Sequence, residues 1–450
     1  MPLRSALTVA LGRVARTAAR LRGGGSGGSA FPGLVAEKVD PGFMARTLGT
    51  LPHGVVLVSG TNGKTTTTKM VVELLRGQGL TVFTNPTGSN FTRGVVAALL
   101  TQVSATGRLE ADVAVLELDE AHAVHFVRAV RPRATLLLNV MRDQLDRFGE
   151  IDNTARLLGT VARATTDVVV VNADDPRLSA PAFLTSLTAR LASFGAGRGL
   201  RSMFLSDDDL RAGAPSTPGA GPPSTPGADG AAGRTCPPPR GTLESIAGRH
   251  AVIRLDGTDH PVDFAIPGVH NMLNATAALV LAREVLGADA DVPALLTSVA
   301  GVHAAFGRGE VVTYGGQPVE LALVKNPAGF RMSLISTAGS AAPDELVMIA
   351  INDEYADGRD MSWLWDVDFS SLRDGGVSVV SGVRAWDMAL RLDYDAVSVD
   401  AVEPDLARAL HTFLRRGAQE GRPMRIFTTY TAMLALRARL SHLTDVEEVL

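Results

Sequence analysis

Short β-branched runs alternate with helix-length stretches along the first half of the chain. Val55 to Val58, Thr81 to Thr84, Val113 to Leu118, Thr135 to Val140 and Val168 to Val171 are almost continuously apolar or β-branched. That is the pattern of strands covered on both faces, not of a sheet with one wet side. Separated as they are by segments long enough for crossover helices, the five runs predict a parallel, doubly wound α/β sheet. Strands are expected again at Ala251 to Leu255, Glu345 to Ile351 and Gly376 to Ser381, with a helix from about Asn271 to Leu286, so a smaller C-terminal α/β domain should follow the first.

The ends of this pattern differ from its middle. Residues 3–22 set Leu3, Leu7, Val9, Leu11, Val14 and Leu21 among Arg4, Arg13, Arg16, Arg20 and Arg22 without an acid. This predicts a basic amphipathic helix, either packed on the body or laid on an anionic membrane surface. Arginines interrupt its apolar run and the Gly-rich stretch 23–29 offers no cleavage site, which argues against a secretory signal. Between 206 and 241 the chain turns Ala/Gly/Pro/Ser-rich and nearly repeats Pro215-Ser216-Thr217-Pro218-Gly219-Ala220 at Pro223 to Ala228. Such a segment buries too little apolar surface to offset its ordering entropy and is predicted to be disordered. Three regions result: 1–45, 46–300 with the low-complexity insertion, and 301–450.

Composition narrows the classes. A chain of 450 residues exceeds the span of one core. Its net charge of −4 lacks the basic excess of a nucleic-acid binder. The single cysteine, Cys236, excludes an internal disulfide and a four-cysteine zinc site, and it suits the reducing cytoplasm. No uninterrupted apolar stretch approaches the ~18 residues of a membrane-spanning helix, which leaves the inner face of the plasma membrane as the one membrane contact to consider. Lysine is scarce: of 43 basic residues only Lys38, Lys64, Lys69 and Lys325 are lysine.

The candidate chemistry begins where the first strand ends. Ser59-Gly60-Thr61-Asn62-Gly63-Lys64-Thr65-Thr66-Thr67 reads as a glycine loop opening a helix. Glycines let backbone N–H groups approach phosphate oxygens, and the helix terminus favours negative charge. Lys64 supplies a point charge for the outer phosphates and Thr65 a hydroxyl for Mg²⁺. Glu117 closes its strand on the carboxyl edge of the sheet, where ligands bind; a capping or solvated glutamate is the plain alternative. Asp119-Glu120-Ala121-His122 spells a DEAH box, but no nucleic-acid channel or second helicase motif accompanies it. His122 and His125 are three apart on an expected helix and read as ordinary helix positions before metal ligands.

The loop Gly60-Thr61-Asn62-Gly63-Lys64-Thr65, with Val58 where other phosphate loops carry glycine, resembles that of the Mur ligase superfamily. Asn139-Val140-Met141-Arg142-Asp143-Gln144-Leu145-Asp146 resembles its N-x3-D-H-L-D segment, with Gln144 in place of a metal-binding histidine, which weakens a second Mg²⁺ site. Asn172-Ala173-Asp174-Asp175, Gly268-Val269-His270-Asn271 to Asn274 and Gly307-Arg308-Gly309-Glu310 match further segments in order. The resemblance implies a Mur ligase central ATP-binding domain at 46–300, with ATP held by Gly60 to Thr66, Asn90, Asn271 at adenine and Arg308 at the phosphates, and Mg²⁺ held by Thr65 and Glu117. No lysine lies between Lys69 and Lys325, so the carbamylated lysine common in Mur peptide ligases is absent. Only 59 residues precede the loop, against the domain of roughly a hundred that binds uridine nucleotides in the stem-peptide ligases; folylpolyglutamate synthase-like or lipid-linked substrates are expected instead.

The C-terminal third decides between those. Asn326-Pro327-Ala328-Gly329 stands at the Mur D-Y-A-H-N-P segment, with Ala322 for its aspartate and Lys325 for its histidine. Ile351-Asn352-Asp353-Glu354-Tyr355-Ala356-Asp357-Gly358-Arg359-Asp360 to Asp366, Ser381 to Ala389 and Thr428-Thr429-Tyr430 resemble the MurT family, the synthetase subunits of lipid II isoglutaminyl synthase. That resemblance implies ATP-dependent amidation of the D-glutamate α-carboxyl of the lipid II stem peptide through an acyl phosphate. It also implies a GatD-type class I glutaminase partner, because Cys236, the sole thiol, lies in the Pro-rich tract, and an aspartate that completes the partner's Cys-His pair. Asp360 is the first choice, Asp357 the second and Asp353 the third; turn caps or partners of Arg359 are the plain reading of each. The rivals are a folylpolyglutamate synthase-like, amino-acid-adding ligase and an ATP-binding scaffold for a glutaminase.

Overall fold

In a computed structural model, which describes residues 2–21, 31–85, 91–142, 151–204, 206, 234–266, 268–303, 308–338 and 344–444, the chain builds two sheets. The first comprises β1 (Val55–Ser59), β2 (Val82–Thr84), β3 (Val113–Glu117), β4 (Ala134–Leu137), β5 (Val168–Asn172), β6 (Arg190–Ala196), β7 (Gly241–Ala247), β8 (His250–Leu255) and β9 (Thr258–Asp263). Their order is β2-β3-β1-β4-β5-β6-β7-β8-β9. The strands through β7 pair in parallel, and β8 and β9 add an antiparallel meander. The doubly wound sheet expected from the apolar runs is therefore present.

Alternation within a strand explains its double burial. Val56 and Val58 of β1 face one core, shared with the helices at Lys64–Gly77, Val269–Leu286 and Val292–Ala300, whereas Val55 and Leu57 face the other. Helices α1 (Pro2–Leu21), α2 (Phe31–Val39), α3 (Phe43–Leu48), α4 (Lys64–Gly77), α5 (Thr92–Gln102), α6 (Glu120–Ala129) and α7 (Ile151–Ala164) precede β5. Of these, α1 to α3, α5 and α6 cover the second face. The helix α8 (Val269–Leu286) is apolar all round and buried along nearly its whole length, as expected for a helix inside a core; α9 (Val292–Ala300) packs beside it.

The smaller sheet follows: β10 (Arg308–Tyr314), β11 (Gln317–Leu323), β12 (Leu346–Ala350), β13 (Val379–Ser381), β14 (Val402–Glu403) and β15 (Met424–Thr428), in the order β10-β11-β15-β12-β13-β14, parallel except for β10. Helices α10 (Pro327–Ala338), α11 (Ala385–Tyr394), α12 (Leu406–Glu420) and α13 (Tyr430–Leu440) flank it. Phe330 of α10 anchors one face, edge-on to Phe369 at 5.0 Å and 5.2 Å from Phe427.

Two expectations change. Helices α2 and α3 occupy part of a region read as a helix plus Gly-rich segment. The tract 206–241 was expected to be disordered throughout, but residues 234–240 are packed. The Arg234 guanidinium donates to the Leu187 carbonyl (2.6 Å), Ser193 Oγ donates to the Pro237 carbonyl (2.8 Å), and half-buried Cys236 lies against the Leu137 and Val169 core. Consecutive prolines run extended beside a sheet without needing donors, which composition alone does not reveal. Residues 207–233 lie outside the described residues. Among the described residues no helix is long and apolar enough to cross a membrane. Helix α1 seats Val9 and Ala15 inward and leaves Leu7, Leu11 and Val14 exposed.

Candidate active site

The chain leaves β1 between its parallel neighbours β3 and β4, at the point where strand order reverses and an open sheet leaves a crevice. Gly60 and Gly63 take φ values of +133° and +86° there. A Cβ on Gly63 would sit 2.8 Å from the Asn274 side chain of α8, so a larger residue is excluded twice over. Asn139 holds the loop from the other side: its Oδ1 accepts the Asn62 N–H (2.8 Å), its Nδ2 donates to the Asn62 carbonyl (3.1 Å), and its own carbonyl accepts the Thr61 N–H (3.1 Å).

Lys64 opens α4 with its ammonium folded back onto the Gly60 carbonyl (2.6 Å), Asp119 (2.9 Å) and Glu120 (3.4 Å). Burial pushes the Asp119 carboxyl up, but the Lys64 and Lys325 ammonium groups outweigh it and hold the group below the usual carboxylate range. Burial raises Glu120 instead, with Lys64 opposing and the neighbouring Asp119 charge adding to the rise. Thr65 Oγ1 donates to Glu117 Oε1 at 2.8 Å. Asn85 secures Glu117 from behind through a reciprocal pair of backbone bonds of 3.0 and 2.9 Å. A hydroxyl and a carboxylate converging at a helix N-terminus fit Mg²⁺, which takes one or two protein oxygens and fills its octahedron with phosphate and water. Among the described residues no group of three or more His, Cys, Asp or Glu side chains could hold a metal alone. His122 and His125 lie on α6, with the His122 ring 6.0 Å from Phe91.

A cavity of about 230 Å³ lies between the two sheets, walled by Thr61 to Lys64, Thr66 and Asn271 on one side and by Lys325, Arg331 and Arg425 on the other. Asn271 is buried in the first turn of α8; the capping position belongs to Gly268 at φ +100°, not to Asn271, so the asparagine is not used as a cap. Asp174 and Asp175 brace the adjoining edge. Asp175 accepts from the Val140 (2.6 Å), Arg177 (2.9 Å) and Leu178 (3.0 Å) N–H groups, and burial nevertheless pushes it up to about 6. Asp174, raised by burial, accepts the Ala196 N–H at 2.6 Å. From the smaller sheet, Lys325 Nζ donates to the Thr61 carbonyl (3.1 Å), and the amides of Asn326 and Asn62 exchange bonds of 3.0 and 3.3 Å. The Arg308 side chain, Asn90 and Asp143 to Asp146 lie outside the described residues.

Sequence reasoning missed Asp119 and Glu120 as the partners of Lys64, and Asn139 and Asn326 as clamps. The signal for Asp119 was its place two residues beyond Glu117 on the same strand edge.

The three C-terminal aspartates differ in surroundings. Asp357 is buried and accepts from the Thr431 N–H (2.7 Å) and hydroxyl and from the Glu354 N–H (3.1 Å); burial raises it. Asp353 pairs with Arg384 at 2.8 Å. Asp360 is half-buried, accepts the Ser362 N–H at 2.9 Å, and is held below the usual range by the Ser362 hydroxyl and N–H. Beside them Trp386, Leu390 and Tyr394 line one exposed face of α11, with Trp365 edge-on to Tyr394 at 5.1 Å.

A phosphate loop at the switch point of a parallel sheet, a Thr-Glu pair below it and a second α/β domain closing the cavity define a Mur-type ligase. Residues 58–208 match the Mur ligase middle domain family, and residues 323–433 match the family described as MurT ligase C-terminal. The MurT subunit of lipid II isoglutaminyl synthase (glutamine-hydrolyzing) from Streptococcus pneumoniae is 30% identical over 430 residues, 92% of each chain. The chain belongs to the MurT family. Among solved structures, MurF from Acinetobacter baumannii superposes with a TM-score of 0.65 at 18% identity, over 89% of this chain and 80% of that one. MurF from Thermotoga maritima in complex with ADP gives 0.63 at 16%, over 90% and 83%.

Proposed function

We propose that this chain is the ATP-using subunit of a glutamine-dependent amidotransferase that converts the D-glutamate α-carboxyl of the lipid II stem peptide to D-isoglutamine. The observation that carries the reading is the shared cavity, where Lys64 of the phosphate loop and the second domain's Lys325 converge next to the Thr65-Glu117 pair at the start of the same helix, in a chain of the MurT family. Residues 46–300 act as the nucleotide domain and 301–450 as the domain that closes on it. ATP lies along Gly60 to Thr66 with its adenine toward Asn271, and Arg308 and Asn90 complete its contacts. Thr65 and Glu117 would hold Mg²⁺, which would neutralise phosphate charge. Lys64 exchanges its bonds to Asp119 and Glu120 for phosphate oxygens. A carboxylate oxygen then attacks the γ-phosphorus, ADP leaves, and ammonia displaces phosphate from the acyl phosphate. The protein's share is positioning and charge stabilisation.

Ammonia comes from a GatD-type class I glutaminase, since Cys236 is packed against the core and raised by burial, which leaves it unsuited to be the nucleophile. The exposed aromatic face of α11 supports a partner beside the aspartate loop, and Asp360, ionised and partly exposed, is the aspartate offered to the partner's Cys-His pair. Exposed Leu7, Leu11 and Val14 on the arginine-rich α1 support contact with the inner membrane face that carries lipid II. The test is reconstitution with the glutaminase. Amidated lipid II from glutamine is expected; product with glutamate and folate, and none with the partner, would overturn the reading. Asp360→Asn should abolish use of glutamine and spare free ammonia, and equal loss with both would remove its role.

A further inference from the structure

Only four of the 43 basic residues are lysines, yet two of them, Lys64 and Lys325, meet at the phosphate loop. Lys325 follows the C-terminal end of β11. Its Nζ lies 3.1 Å from the Thr61 carbonyl oxygen, which Lys64 Nζ also approaches at 3.5 Å. Both ammonium groups act on Asp119. The position is built: Asn326 accepts the Gly329 N–H (2.8 Å), capping α10 ahead of Pro327, and binds the Asn62 amide of the loop. The cap and the paired amides fix the backbone from which Lys325 reaches the loop. An arginine would bring a rigid planar fork, whereas an ammonium is a compact charge whose three donors can move from a carbonyl to a phosphate oxygen.

The geometry points to Lys325 as a second catalytic cation, contributed by the C-terminal domain, that leaves the Thr61 carbonyl and binds the γ-phosphoryl oxygens of ATP. This rests on the acyl-phosphate reading above. As the carboxylate oxygen bonds to phosphorus and the bond to the ADP oxygen breaks, charge on the transferring group is met by Lys64 from one domain and Lys325 from the other. In the second step nitrogen bonds to the acyl carbon, the carbon–oxygen bond to phosphate breaks, and the proton shed by nitrogen ends on the released phosphate. Lys325 takes no part in that proton transfer.

Calorimetry of the full chain with Mg·ADP and with the non-hydrolysable triphosphate Mg·AMP-PNP tests this apart from turnover. Lys325→Met should weaken AMP-PNP binding about tenfold or more, the worth of a charged hydrogen bond, with ADP binding nearly unchanged. In the complex with the glutaminase its kcat should fall about 10²-fold with a smaller change in KM. Lys325→Arg, which keeps charge and fold, should restore AMP-PNP binding in part and leave kcat low. Equal weakening of ADP and AMP-PNP would make Lys325 a mere brace of the loop and overturn the proposal. So would unchanged AMP-PNP affinity and kcat. Selective weakening of AMP-PNP by Lys325→Met, together with a wild-type complex that forms no amide, would sink the amidation reading and leave Lys325 as a γ-phosphate ligand.

Discussion

Replacing Trp386 with alanine removes the largest anchor of the exposed α11 face. The indole is 67% exposed in the chain alone. With about 250 Å² on a tryptophan side chain, roughly 170 Å² remain to be covered by a partner, worth at most ~4 kcal/mol at about 25 cal/mol per Å². Ordering of side chains at the interface takes back a part, so a loss of about 2–4 kcal/mol is expected, or ~30- to 1,000-fold in Kd. Because the ring is exposed, the fold should be unaffected. The assay is calorimetric titration of the glutaminase with wild-type and Trp386→Ala chains, with thermal unfolding of each chain alone as the control. An unchanged Kd and an unchanged melting profile would refute the assignment of this face to the partner.

Two further outcomes follow from the site. Asn326→Ala removes a cap worth about 1 kcal/mol and two amide bonds of about 1 kcal/mol each; denaturant unfolding should show a loss of roughly 2–3 kcal/mol that is less than additive with Asn62→Ala, and full additivity would deny the coupling. Asp175, raised from 3.8 to about 6 in the folded chain, should make stability fall as pH rises between those values, because the unfolded carboxyl ionises first. The cost levels off above pH ~6 at about 3 kcal/mol; unfolding measured across that window should show a flatter slope for Asp175→Asn than for wild type, and parallel slopes would contradict the burial argument.

Much of this was legible in the chain because short-range patterns wrote it. The β-branched runs gave β1 to β5 because strands covered on both faces leave no alternation to misread. Gly60 to Thr65 was legible because its glycines, lysine and threonine are consecutive. Strands β6, β7, β9, β10, β11, β14 and β15 escaped: runs such as Arg190–Ala196, Gln317–Leu323 and Met424–Thr428 mix polar or charged residues into their apolar pattern. The clamps escaped for another reason. Asn139, Asn274 and Asn326 act across 77, 211 and 264 residues of sequence on Asn62, Gly63 and Asn62, and nothing local marks an asparagine that will close on a distant loop. The low-complexity tract misled at its end, where prolines that look disordering lie along the sheet beside Ser193.

The most direct test of the central claim follows one oxygen atom. Lipid II carrying ¹⁸O in the D-glutamate α-carboxyl, incubated with the complex, Mg·ATP and glutamine, should release inorganic phosphate bearing ¹⁸O in step with amide formed. That outcome requires a carboxylate oxygen that attacks the γ-phosphorus at the Lys64 loop and then leaves with the phosphate that ammonia displaces from the acyl carbon. Amide formed with unlabelled phosphate would contradict the account.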